Sequence, residues 1–162
     1  MDSIRATPIQ GHRGQGHSLL IVLILFVLSA GPAVPAESPI IGVVRTVKGT
    51  AYILRNQQVI PATVGFKLRV NDGFQTKADG SLGLILRDDS LLSMGPNSQL
   101  ILDKFVYAPQ EGKLGFLIKI LRGTANYISG LIGKLSPGTA KFETPVATIG
   151  IRGTHFVVKA ES

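Results

Sequence analysis

Three nine-residue units, ADGSLGLIL, RDDSLLSMG and PNSQLILDK, follow one another without a gap from Ala78 to Lys104. Their alignment superposes Asp79 on Asp88 and Asn97, Ser81 on Ser90 and Gln99, and Leu82 on Leu91 and Leu100. Asp and Asn start turns because their side chains bond backbone two residues on. Nine residues then leave room for one turn and a strand of about five. The segment is therefore expected to be a meander, or one wall of a solenoid-like coil.

The same texture runs from Ile40 to the end: short stretches of Val, Ile, Leu and Thr cut by Gly, Asn, Asp and Pro. That pattern predicts an all-β fold, a single domain of short antiparallel or solenoid-like strands. The strands are placed at 42–47, 51–55, 66–70, 73–76, 81–86, 91–94, 99–102, 114–121, 124–128, 141–143 and 147–158. One segment, LGFLIKILRGTANYISGLIGKL, is apolar enough for a helix, but Gly123, Gly130 and Gly133 would each cost it about 1 kcal/mol. Strands joined by glycine turns are expected there.

A second regularity is an apolar residue, a basic residue, Gly and Thr: Val47-Lys48-Gly49-Thr50, Leu121-Arg122-Gly123-Thr124 and Ile151-Arg152-Gly153-Thr154. Three copies predict a shared structural device. In the last copy the inward phase reads Ala147, Ile149, Ile151 and then Phe156, Val158, so parity changes across Gly153. At Gly49 it passes from Val43, Arg45, Val47 to Tyr52, Leu54. A one-residue slip of this kind is what a bulge or corner produces, and glycine permits it. Gly49, Gly123 and Gly153 are expected to be structural bends. The stretch TPVATIGIRGTHF, with Pro145, Gly150, Arg152, Gly153 and Thr154, is expected to be a closing strand. Pro145 opens it, since proline suits a strand's first residues. Arg152 is expected to serve the fold by capping carbonyls or pairing with a carboxylate.

The first 36 residues read as a signal peptide. Leu19 to Leu28 is an unbroken apolar run, preceded by Arg5 and Arg13 and followed by SAGPAVPA, the order of an export leader. The run is too short for a span of about 20 residues, so cleavage after Ala36 is expected, leaving a domain of residues 37–162 in the periplasm. The alternative is an uncleaved inner-membrane anchor. Loss of Arg5, Arg13 and Asp2 takes the net charge from +7 to +6. The excess is scattered singly without interleaved aromatics, so no nucleic-acid surface is expected, and peripheral association with anionic membrane is all the charge supports. Zero cysteines exclude disulfides and thiolate metal sites.

No catalytic residue, metal site or cofactor is expected. His155 is the single imidazole beyond the leader, and a triad needs it within reach of a nucleophile and a carboxylate. Asp79, Asp88, Asp89 and Asn97 share the period of calcium-binding nonapeptides but lack their G-G-x-G-x-D loop, and they read as turn residues.

The order GVVRTVKGTAYI, GFKLRVNDGFQTKADGSLGLILRDDSLLSMGPNSQLIL, LIKILRGTANYISG, FETPVATIGIRGTHFVV resembles the FecR-type domain, the periplasmic module of iron-dicitrate sensors that relay a signal to a sigma factor. Gly65, Asp72, Thr76, Asp79, Gly80, Ser81 and the terminal TP…GIRGT carry the likeness. The resemblance implies an all-β, noncatalytic domain. About eighteen residues precede Leu19, fewer than a folded cytoplasmic domain needs, so a stand-alone copy without anti-sigma activity is expected. The expected function is recognition or signalling through another envelope protein, with a structural or polysaccharide-binding module as the alternative. The expected partner surface comprises Tyr107, Phe116, Ile149, His155 and Phe156.

Overall fold

The computed structural model describes residues 38–153 and 155–161; the expected leader and Thr154 lie outside them. Twelve strands form one curled sheet: β1 (Gly42–Lys48), β2 (Ala51–Arg55), β3 (Gln58–Pro61), β4 (Lys67–Leu68), β5 (Gly73–Thr76), β6 (Ser81–Leu86), β7 (Leu91–Met94), β8 (Gln99–Ala108), β9 (Lys113–Ile128), β10 (Ala140–Glu143), β11 (Thr148–Gly150) and β12 (His155–Ala160). A short helix, α1 (Leu131–Leu135), follows β9. The path runs β3-β2-β5-β8-β9-β7-β6-β1-β4. All pairings are antiparallel except β10 on β9.

The all-β reading holds, and its differences from the sequence expectations have local causes. Gln58–Pro61 was not expected as a strand; it returns from β2 through Asn56 and Gln57, both at positive φ, without the glycine that usually signals such a turn. The glycines of the helix-like segment divide its labour. Gly123 lies inside one continuous 16-residue strand rather than in a turn between two. Gly130 and Gly133 flank and enter α1, where glycine turns were expected. The expected closing strand is two strands, β11 on β10 and β12 on β9.

β9 holds the sheet together. Its first half lies between β8 and β10, its second between β7 and β12. Phe116 and Tyr127 are eleven positions apart on this strand, about 36 Å if it were straight, yet their ring centroids are 5.3 Å apart. The strand therefore turns a corner. An unpaired extra residue, Leu121, sits between the Leu100–Ile120 and Gln99–Arg122 pairs, and Gly123 follows at φ +87°. Buried positions accordingly switch parity from Phe116, Ile118, Ile120 to Ala125, Tyr127.

All three basic-Gly-Thr copies fall at such crossings between the two halves of the curled sheet. Gly49 carries the chain from β1 to β2, Gly123 lies within β9, and Gly153 lies between β11 and β12. All three glycines have positive φ: +59°, +87° and +146°. The corners at Gly49 and Gly123 also pack tightly against neighbours. A Cβ on Gly49 would lie 2.1 Å from the Asp79 carbonyl oxygen, and one on Gly123 2.5 Å from Ser98 Cα; at Gly153 nothing lies within 4 Å. The repeat supplies the facing side of this seam. Asp79 accepts from the Thr50 amide and hydroxyl at 3.1 and 3.0 Å, and the Thr124 amide donates to Ser98 Oγ at 3.0 Å.

Two expected phases are corrected. Arg45 is bulged out between Val44 and Thr46, so Val44 faces inward rather than Val43 and Arg45, with Val47 packed beside it, and β2 buries Ala51 and Ile53 rather than Tyr52 and Leu54. Ala147 is exposed because 144–147 is a tight turn closed by the Thr144 amide on the Ala147 carbonyl at 2.8 Å. The other inward residues of the terminal segment are placed as expected, with Ile151 and Val158 buried and Ile149 and Phe156 packed at the core's margin.

Candidate functional site

Three features of the domain combine polar chemistry with defined geometry. The first is a buried network at the β6–β7 turn. Asp88, Ser90 and Tyr127 are all fully buried. The Asp88 carboxylate accepts from Ser90 Oγ at 2.6 Å, the Ser90 amide at 3.2 Å and the Ile132 amide at 3.2 Å. Its own carbonyl accepts from the Leu131 amide at 2.6 Å. Since the serine proton goes to Asp88 and a hydroxyl has one proton, Tyr127 donates to Ser90 Oγ at 3.0 Å, as does the Gly130 amide at 3.1 Å. The network pins α1 under the sheet and spends the carboxylate on amides and a hydroxyl.

Burial pushes the Tyr127 hydroxyl above its ordinary value, more than its bond to Ser90 lowers it. A tyrosine whose folded value lies above the unfolded one contributes stability that is complete below about pH 10 and is lost as pH rises toward the folded value. Tyr127→Phe is therefore expected to cost about 1 kcal/mol at neutral pH, the net worth of one hydrogen bond. It is also expected to flatten the fall in stability above about pH 10. Denaturant unfolding from neutral to alkaline pH checks both; an equally steep alkaline fall in the variant contradicts the assignment.

The second feature is an ion pair at the β4–β5 turn. Arg55 reaches Asp72 through Nε and Nη2, both at 2.7 Å, and spends Nη2 also on the Lys67 carbonyl at 2.8 Å. The Arg69 amide donates to Asp72 at 2.8 Å, and the Arg55 guanidinium lies 4.9 Å from the centroid of the Phe66 ring. This is a structural clamp, with Asp72 buried.

The third feature is a groove. Past Asp103 the β8–β9 hairpin extends beyond β5, which pairs with β8 only at 99–101. Its inward face carries Phe105, Tyr107, Leu114 and Phe116 against the core. Its outward face carries Lys104, Val106, Gly115 and Leu117, and β10 lies alongside. Gly115 lets Thr139 approach the central strand, where an added Cβ would meet its carbonyl oxygen at 3.2 Å, and beside this contact lies a trough of about 690 Å³. Lys104, Lys113 and Lys141 line it together with Val106, Leu114 and Leu117. Lys104 and Lys141 both pair in register with Leu117, which sets them on opposite walls about 9.5 Å apart, two strand spacings. Lys113 pairs with Glu111 at 2.9 Å. Lys104 and Lys141 make no hydrogen bond or ion pair among the described residues.

The residues singled out by sequence are distributed as follows. Phe116 is 3% exposed and belongs to an aromatic cluster with Tyr127 and Phe142, its centroid 5.7 Å from that of Phe142. Phe156 packs on Phe142 with the rings tilted and their centroids 5.6 Å apart, and Tyr107 and Ile149 are half-buried against the core. These four fasten the hairpin and the C-terminal strands inward: Phe116 is buried and so is not part of an open surface, while Tyr107, Ile149 and Phe156 remain partly exposed. His155 is exposed, and its Nε2 contacts Asn126 Oδ1 at 2.6 Å. Pro145 lies in the 144–147 turn rather than opening a strand. Gly150 sits in β11 with negative φ and ordinary space around it.

Arg152 is exposed and makes no hydrogen bond or ion pair among the described residues, so the expected capping or pairing is not found. Arg152→Ala is expected to change stability by no more than about 0.5 kcal/mol. A loss above about 1 kcal/mol in denaturant unfolding would restore a scaffold role. Among the described residues no group of three or more His, Asp or Glu is arranged to hold a metal.

Sequence reasoning did not find the trough, because its lysines lie far apart along the chain and are brought together by strand register. The available signal was the glycines, Gly112, Gly115 and Gly138, interspersed among lysines on segments later paired.

A family model described as FecR protein matches residues 72–162, from Asp72 of the clamp through β12. No curated protein and no solved structure matches the chain.

Proposed function

Because the chain belongs to the FecR protein family, whose domains are signalling and regulatory rather than catalytic, we propose that it acts in the periplasm as an exported recognition module that binds another envelope protein. The supporting observation is the character of its outward faces. Val106, Ile128 and Val157 are 46%, 44% and 59% exposed on the outer sides of β8, β9 and β12, beside polar and cationic side chains. Apolar residues set in a polar rim are the composition of a non-obligate protein interface. A glycan reader would instead present aromatic platforms, whereas Phe74, Phe116, Tyr127 and Phe142 are committed to the core.

The test is fractionation of cells producing the tagged chain, with N-terminal sequencing and reciprocal co-purification after cross-linking. A chain beginning at Glu37 in the periplasmic fraction and co-purifying with one envelope protein from either side is the expected result. A chain that stays in the cytoplasm, or that is exported but yields no reciprocal partner, contradicts it.

A further inference from the structure

We propose that the trough over β9 is the docking site for an extended acidic segment of the partner, its carboxylates taken by Lys104 and Lys141 and its apolar side chains laid against Val106 and Leu117. The inference rests on the partner-binding reading above and adds where and by what chemistry the partner is held.

Two adjacent outward rows cross the same three strands, β8, β9 and β10. In one row Lys119 of β9 is flanked on both sides, by Asp103 at 3.3 Å and Glu143 at 4.0 Å; here the cation is covered and one carboxylate is left in excess. In the other, reached at the next outward position of β9, the order is Lys104, Leu117, Lys141. Here the cations stand on the outer strands with an apolar residue between them, and neither has a counter-ion among the described residues. Two unpaired like charges facing each other across a recess repel, and an anionic ligand relieves that repulsion.

The shape selects the form of the ligand. The recess is lined by residues 112–117 along the start of β9, with Thr139 against Gly115, and Lys104 and Lys141 stand on the strands either side of Leu117, about two strand spacings apart. Its volume of about 690 Å³ is within the range of ligand sites. A channel of that width admits an extended chain, whereas the plane of a bilayer cannot enter it. The outward apolar side chains of Val106 and Leu117 call for a segment that carries apolar as well as acidic side chains. The lysine stems pack along such side chains while the ammonium groups reach the carboxylates.

The test uses the exported protein purified from cells expressing the full chain, titrated with a fluorescent, capped peptide alternating glutamate and leucine. Parallel arms use the lysine-for-glutamate peptide, phosphatidylglycerol vesicles and inorganic phosphate. The acidic peptide is expected to bind in low salt and weaken as salt rises. Lys104→Glu with Lys141→Glu is expected to reduce its affinity at least tenfold, with the melting temperature unchanged. Lys77→Glu, an exposed lysine elsewhere, is expected to bind as the parent does. Undiminished binding by the double variant overturns the proposal, as does preference for vesicles or phosphate over the peptide. If the double variant still co-purifies with the envelope partner, the groove assignment fails while the partner-binding reading stands. If the parent binds the peptide but no partner is found in cells, the broader reading fails instead.

Discussion

Gly123→Val is expected to leave the chain unfolded under conditions where the parent is native. Gly123 is the corner of the strand on which both halves of the sheet are built. Its φ of +87° is a conformation that β-branched residues avoid, at a cost of about 1–3 kcal/mol. The steric term is larger. A Cβ there would stand 2.3 Å from Ser98 Oγ, 2.5 Å from Ser98 Cα and 2.7 Å from Ser98 Cβ. Two of those atoms are fixed by the backbone of the β7–β8 crossing, so relief requires separating the crossing from β9. That separation breaks the bond from the Thr124 amide to Ser98 Oγ and lifts Phe116 from Tyr127. The sum reaches the whole stability of a small domain, about 5–15 kcal/mol. Gly153→Val is the informative comparison, because its φ of +146° is also unfavourable but no atom lies within 4 Å of the added carbon. It is expected to fold with a loss of about 1–3 kcal/mol. Far-ultraviolet circular dichroism and thermal melting of the two variants check the difference, and a native-like Gly123→Val would remove β9 as the hinge of the fold.

Asp72→Ala is expected to cost about 3 kcal/mol, the lower end of what is lost when one partner of a buried ion pair is removed. The lower end applies because Arg55 is 20% exposed and regains water, while Asp72 is 1% exposed. What cannot be regained is the acceptor for the Arg69 amide, which Asp72 takes at 2.8 Å. Asp72→Asn keeps an acceptor there and is expected to lose less. A double-mutant cycle with Arg55→Ala is expected to show a coupling of at least about 1 kcal/mol, since the two residues share two short charge-assisted bonds. Additive losses would mean that Asp72 acts through the turn alone.

The legible part of this fold is what local chemistry sets. Strands at 51–55, 73–76, 81–86 and 91–94 coincide with β2, β5, β6 and β7, because turn residues bound each one. The basic-Gly-Thr copies were readable as bends, since positive φ leaves glycine in the sequence. What the bends join was not readable: that each carries the chain between halves of one sheet is decided by pairing of distant strands. The phase error in β1 came from a bulge at Arg45, which carries no glycine to announce it. Phe116 and Phe156 looked like partner contacts because a hairpin and a terminal strand carrying aromatic side chains can offer an apolar face to a partner. Their inward packing, full for Phe116 and partial for Phe156, follows from β9 folding back on itself, which brings Phe116, Tyr127, Phe142 and Phe156 into one chain of ring contacts. Arg152 looked structural because a basic residue precedes glycine in all three copies, yet its side chain makes no hydrogen bond or ion pair among the described residues. The trough had no linear signature, since Lys104 and Lys141 meet only through their common neighbour Leu117.

The central claim, that the outer face of the β8–β9 hairpin recognises an envelope protein, is tested most directly by a photo-reactive side chain placed at Val106 in living cells. Val59, 62% exposed on the far edge strand β3, serves as the reference position. Irradiation is expected to give one discrete adduct to an envelope protein from position 106 and none from position 59, and the adduct is expected to vanish when Lys104 and Lys141 are replaced by glutamate. Equal adducts from both positions, or none from position 106 in folded, exported protein, would contradict the account.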